Sequence, residues 1–228
     1  MVSAVFHDRR LTRNRALIMA VIDAAPSDPV QREVIRRAVD EGADLIGIGA
    51  LDASGLPLVE WARKTYPDLA ISVRTERPDL AEQANLAGAD LLDDGWGSAD
   101  SGVLDAAVRH GSGYICAATP DQVGRVSASG IPRTGVLVRV APDPTSLAQL
   151  PELVHDGWLV LVDDDANTTP GILPEDRLAG ALAVTALAAR AGAVVIRTRH
   201  VRATRHAVEM VASILCTRPP SRPQRWLV

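Results

Sequence analysis

Short apolar runs alternate with helix-period patterns along this chain. Residues 16–22 (ALIMAVI) are continuously apolar and bounded by polar residues, as a strand buried on both faces must be. In residues 30–41, Val34, Ile35, Ala38 and Val39 recur at helical spacing; Ser27 and Asp28 are cap candidates and Pro29 fits a first turn. Gly42 ends that pattern, and residues 43–49 (ADLIGIG) make a second strand. The cycle continues with strands over 70–73, 90–92, 113–117, 136–140, 159–162 and 194–197. Between them the spacing predicts helices over 56–66, 78–87, 101–110, 146–155 and 175–190, with a last one over 201–215. Residues 119–133 hold glycine, serine and proline without an amphipathic stripe. Eight strands with crossover helices predict an α/β fold, a (β/α)8 TIM barrel with a reduced or missing fifth helix. An open doubly wound sheet is the alternative.

No Ser/Gly-rich or Pro-rich linker divides the pattern. It reads as one barrel over residues 16–217, preceded by an N-terminal arm (1–15) and followed by a Pro/Arg-rich tail (218–228). The net charge of −4 gives no general affinity for nucleic acid. No apolar run reaches the ~18 residues of a membrane span, and residues 1–15 carry no signal-peptide core. Cys116 and Cys216 sit in apolar strand and helix contexts without metal-ligand spacing, so a reduced, cytoplasmic protein is expected. Lys64 is the only lysine, and it falls on a surface helix. Any cationic chemistry at a site therefore belongs to arginine.

The candidate chemistry lies at strand ends. Asp23, Arg74, Asp93, Arg139, Asp163, Arg197 and Arg199 all fall at the C-terminal ends of strands, which in a βα barrel ring the functional mouth. Trp96, between Gly95 and Gly97, could stack on a flat ligand or pack in a loop. Two readings of the charges stand. In one, the arginines pair with Asp23, Asp93, Asp94 and the Asp163–Asp165 run to plug the mouth, because buried charges need partners. In the other, the mouth is a rebuilt pocket whose arginines face an anion. The aspartate run could hold a hard cation, although adjacent residues point in different directions. His110, His155 and His206 read as surface residues of helices, and Cys116 as an inert buried thiol.

Several phrases in order resemble the dihydropteroate synthase family, in particular its short actinobacterial branch. They are RALIMAVIDAAPSD (15–28), AISVRT (70–75), GADLLDDGWG (88–97) and residues 177–201, which end AGAVVIRTRHV and run on through ATRHAVEMVASI. The resemblance implies a pterin-binding barrel that condenses a dihydropterin pyrophosphate with p-aminobenzoate. It also implies a pocket of aspartates and an asparagine facing the donor edge of the pterin. Here the acidic position of the third strand is Arg74 and that of the sixth is Arg139. The fourth-strand asparagine is matched by Asp93, and the first-loop asparagine, which the family uses with magnesium and pyrophosphate, by Asp23. The phrase after the seventh strand becomes Asp163-Asp164-Asp165-Ala166-Asn167. Arg197 is kept, but the family's histidine position holds Arg199, with His200 one residue out of register.

Arginine has five donors and no acceptor, so it cannot replace an aspartate against a donor array. Each lost partner costs about 1–3 kcal/mol or more, and two approach the whole binding energy of a millimolar ligand. The sequence therefore predicts a dihydropteroate-synthase-like barrel without synthase activity, acting as a non-catalytic homologue or partner protein. The alternative is a divergent transferase of folate and pterin metabolism or another anion-binding enzyme. No cofactor is expected, and magnesium only if pyrophosphate is bound. The alanine-rich helix over 175–190 is apolar on nearly all faces, and the family uses this region to dimerise. A homodimer through helices 175–190 and 201–215 is expected, with a heterodimer with a true synthase as the second arrangement.

Overall fold

The computed structural model describes residues 2–7, 9–23, 28–49, 53–95, 102–164 and 177–217. A hairpin of β1 (Val2–Phe6) and β2 (Arg9–Arg13) precedes eight parallel strands. These are β3 (Leu17–Asp23), β4 (Leu45–Gly49), β5 (Ala70–Arg74), β6 (Leu91–Asp93), β7 (Gly113–Ala117), β8 (Val136–Val140), β9 (Leu159–Asp163) and β10 (Val195–Thr198). They close in sequence order, with β10 pairing both β9 and β3. The expected (β/α)8 barrel is therefore the fold, and the open doubly wound sheet is not. The helices are α1 (Asp28–Asp40), α2 (Leu56–Thr65), α3 (Pro78–Ala87), α4 (Val103–His110), α5 (Pro120–Ser129), α6 (Pro144–Ala148), α7 (Leu150–His155), α8 (Arg177–Ala191) and α9 (Val201–Ile214). Among the described residues, no helix is long and apolar enough to cross a membrane.

Strand parity divides the interior into two cores. Ile18, Ile46, Ile71, Leu92, Cys116, Val138, Val160 and Ile196 face outward and pack beneath the helices. Leu17, Met19, Leu45, Ala70, Leu91, Ile115, Leu137, Leu161 and Val195 face the lumen and fill its lower layers. The expected N-terminal arm is the hairpin, and it closes the barrel from below: Ala4, Phe6 and Leu11 join the lumen core. Phe6 presses on the start of β7, where a Cβ on Gly113 would meet its ring at 2.9 Å, so only glycine fits there.

The phrase Gly-Ala-Asp occurs twice, at residues 42–44 and 88–90, and has a structural cause. Gly88 ends α3 in the left-handed region (φ 109°), which glycine adopts without the usual steric cost. Two residues later the Asp90 carboxylate accepts the Ile71 amide at 2.8 Å and bonds from Arg63 and Arg9. Asp44 does the same two strand–helix units earlier, for the Ile18 amide, Arg13 and Arg15. Each aspartate ties one strand to its neighbour and to the base of the barrel.

Two local expectations are corrected. The fifth helix is present: α5 runs ten residues, capped by Thr119, opened by Pro120 and ended by Gly130 in the left-handed region. It escaped the periodicity because it buries only Gln122 and Val126, too few to draw an apolar stripe. The single helix expected over 146–155 is instead the pair α6 and α7. Pro151 cannot donate to Leu147 and its ring crowds that carbonyl, which breaks the helix at Gln149.

Candidate functional site

All seven strand-end charges lie on the lumen parity, above the apolar layers. The inner tier converges on one carboxylate. Asp93, on the short strand β6, is 1% exposed and accepts bonds from three different strands. Arg139 Nη1 reaches both its oxygens at 2.9 and 3.2 Å, Arg197 Nη1 reaches Oδ2 at 2.7 Å, and Arg74 Nε reaches Oδ2 at 3.1 Å. Asp93 Oδ1 also takes the Gly95 amide. Arg197 turns its other edge to Asp163, bonding through Nε and through Nη2 at 2.7 Å. In the outer tier Arg199 holds both oxygens of Asp23, at 2.8 and 3.1 Å, in solvent. Trp96 and Asp165 lie outside the described residues.

Electrostatics follow from this arrangement. Burial alone would push the Asp93 carboxyl up; attraction to Arg139, Arg197 and Arg74 outweighs it and holds the group below the ordinary carboxylate range. Burial pulls Arg139 down, and the repulsion of Arg197 and Arg74 adds to that against the attraction of Asp93. The carboxylate thus has more partners than it needs, while the guanidiniums compete for it. Burial also opposes the Arg197 charge, but it has both Asp163 and Asp93 and is held above its ordinary value. Asp23 is held low, chiefly by the Arg199 bond.

Two members of the expected plug face elsewhere. Successive strand residues alternate faces, so Asp94 and Asp164 point away from the mouth into the helix layer. Asp94 accepts from the Tyr114 hydroxyl, and burial raises its carboxyl above the ordinary range. Asp164 accepts from Thr185 of α8 at 3.2 Å and Thr204 of α9 at 3.1 Å, and its amide donates to the Arg197 carbonyl. Burial pushes it up to about 6, with bonds from Thr198, Thr204 and Thr185 opposing the rise. This knot was missed in the sequence; its signal was a threonine on the buried face of each of two helices. Cys116 is fully buried, and desolvation pushes its thiol up to about 12, so it is inert.

Among the described residues, little room remains at the mouth. The cavity bounded by Gly47, Gly49, Ser72, Arg74, Asp93 and Arg199 measures about 110 Å³, against roughly 300–1,000 Å³ for small-molecule sites. At position 23, to which the resemblance gives the magnesium role, both Asp23 oxygens accept from Arg199. Among the described residues, no three potential metal ligands gather.

No family model matches the chain. Individual proteins do. A Mycobacterium leprae protein named inactive dihydropteroate synthase 2 is 36% identical, over 96% of this chain and 97% of its own length. Its Mycobacterium tuberculosis namesake is 35% identical, over 96% of this chain and 89% of its own. The M. leprae alignment spans 287 positions, more than the 228 residues here, so that relative has additional residues within the aligned length. The Escherichia coli dihydropteroate synthase is 23% identical over 89% of this chain and 87% of its own. Among solved structures, one from M. tuberculosis superposes with a TM-score of 0.79 at 36% identity, covering 94% of this chain and 99% of that one. The Yersinia pestis dihydropteroate synthase with a pterine-sulfa conjugate gives 0.82 at 22% identity, with coverage of 94% and 99%, and shares the fold. By sequence and by fold, the chain belongs to the dihydropteroate synthase family, beside the members named inactive dihydropteroate synthase 2.

Proposed function

We propose that this protein is a non-catalytic member of its family that works by association with other chains. The observation that carries this is the saturation of Asp93 by Arg74, Arg139 and Arg197. The pterin edge is a row of donors, and the one inward carboxylate on β6 has no lone pair to spare for it. Calorimetric titration with a dihydropterin pyrophosphate and with p-aminobenzoate, beside a turnover assay, tests the reading. Neither compound should bind below millimolar, and no dihydropteroate should form. Micromolar pterin binding would overturn it. A second reading is favoured by the convergence of Arg74, Arg139, Arg197 and Arg199 at the mouth, because guanidiniums hold oxyanions through paired donors. On that reading a small anion such as pyrophosphate binds there, and Arg199→Ala abolishes the binding.

The association surface is α8 with α9. Leu187 is 60% exposed, Met210 61% and Ile214 71%, and an apolar groove lined by Pro144, Leu147, Val184 and Leu187 runs beside α8. A stable partner must cover about 800 Å² per chain, and a second copy seated on these helices supplies it; a true synthase is the alternative mate. Charge in the middle of such a face removes the drive to associate. Leu187→Glu with Met210→Glu should give a monomer by analytical ultracentrifugation with an unchanged helical spectrum. A monomeric wild-type chain at tens of micromolar would refute the homodimer. Two free thiols, one of them exposed, accord with a cytoplasmic setting.

A further inference from the structure

The base of the barrel, opposite the mouth, carries a polar pocket with unspent hydrogen-bonding capacity. It lies between the hairpin and the ends of α3 and α4, measures about 340 Å³, and is lined by His7, Arg9, Arg63, Asn85, Asp90 and His110. The volume is at the low end of small-molecule sites. Its charge is one-sided: both Asp90 oxygens are taken, Oδ1 by Arg9 and Oδ2 by Arg63 and the Ile71 amide. Arg63 is spent, since it also serves the carbonyls of Pro67, Leu69 and Gly88. Arg9 binds Asp90 through Nε, which leaves its terminal fork as the cationic edge of the pocket. Beside it, both amide atoms of Asn85 are buried without a hydrogen-bond partner among the described residues. Leaving such a group unpaired is costly, so a ligand that satisfies the amide gains affinity on binding.

We propose that this pocket binds a phosphate group with a hydroxyl beside it, as in inorganic hydrogen phosphate or a small hydroxylated phosphate ester. The phosphate oxygens accept from the Arg9 fork and from Asn85 Nδ2, and the hydroxyl donates to Asn85 Oδ1. An oxyanion without a hydroxyl answers only half of the amide. The site would tie a metabolite to the hairpin that closes the barrel, on the face that the mouth's chemistry does not use.

Calorimetry on the full chain tests this with inorganic phosphate, glycerol 3-phosphate and sulfate. Either phosphate compound should saturate the protein, and sulfate should bind at least ~10-fold more weakly. Tighter glycerol 3-phosphate binding identifies the ester as the ligand; tighter inorganic phosphate identifies the free ion. Asn85→Leu should weaken phosphate by ~10-fold or more. Its side chain makes no bond within the described protein, so the fold should survive, as a thermal melt would check. Arg9→Met should weaken it similarly, whereas Arg199→Ala at the mouth should leave it unchanged. Equal affinity for sulfate, no saturable phosphate binding, or loss on Arg199→Ala but not on Asn85→Leu would each overturn the proposal. The last result would place the anion at the mouth.

Discussion

Asp93→Asn should be among the most destabilising single substitutions in this protein, by about 3–5 kcal/mol. The substitution keeps the shape and removes the charge that three guanidiniums share. Arg139 and Arg197 are 1% and 7% exposed, so water cannot take the place of the carboxylate. Asp163 still serves Arg197, but it faces Arg139 only at a distance. Removing one arginine is a smaller change, because Asp93 retains two. Arg139→Met, which replaces a desolvated cation with apolar volume, should cost at least ~2 kcal/mol less than Asp93→Asn. Arg74, with its side chain 36% exposed, should cost no more than ~1 kcal/mol when replaced by glutamine. Urea denaturation of the three variants gives the order directly. An Asp93→Asn chain as stable as the wild type would show that the mouth is not held together by this network and would overturn the closed, non-catalytic site.

The same network shows what was legible in the sequence. A charged residue at the end of an apolar strand run has a fixed face once the strand is placed, so the mouth positions of Arg74, Asp93, Arg139, Asp163 and Arg197 followed from parity. Their partners did not. Pairing depends on which strands sit across the lumen, and sequence adjacency suggested that Asp94 and Asp164 would join their neighbours, when alternation sends both to the helix layer. The hairpin was illegible for a related reason. Residues 9–13 read Arg-Arg-Leu-Thr-Arg, and a strand that buries one leucine among three arginines has no apolar signal until the open base of a barrel is there to cover. Helix α5 was hidden by its two-residue buried face, although Thr119 and Pro120 announced its start. The ionic anchors Asp44 and Asp90 did leave a trace, the repeated Gly-Ala-Asp, whose glycine marks a helix end while its carboxylate has no partner visible in sequence.

Asp164→Asn should act in the opposite sense to Asp93→Asn and stabilise the protein at neutral pH. The folded Asp164 carboxyl is raised to about 6 from an ordinary value of 3.8, so folding favours its protonated form. Its contribution is fully present below the unfolded value and is lost as pH climbs through the folded one. Two pKa units correspond to about 3 kcal/mol. Asparagine stays neutral at every pH and can still accept from Thr185 and Thr204, so the variant keeps what the wild type gives up between pH 4 and 6. The two proteins should therefore be close in stability near pH 4, diverge between pH 4 and 6 and stay apart above it, where the variant gains up to ~3 kcal/mol, or about 6–12 °C in Tm for a chain of this size. The lowered carboxyls, Asp93 above all, destabilise both proteins alike on acidification, so the difference between the two melting profiles isolates Asp164. Because its threonine partners belong to α8 and α9, the gain should appear as slower amide exchange in those two helices. A constant difference from pH 4 to 8 would mean that Asp164 carries its charge in the fold without cost over that range, and that the threonine knot is an anion cradle.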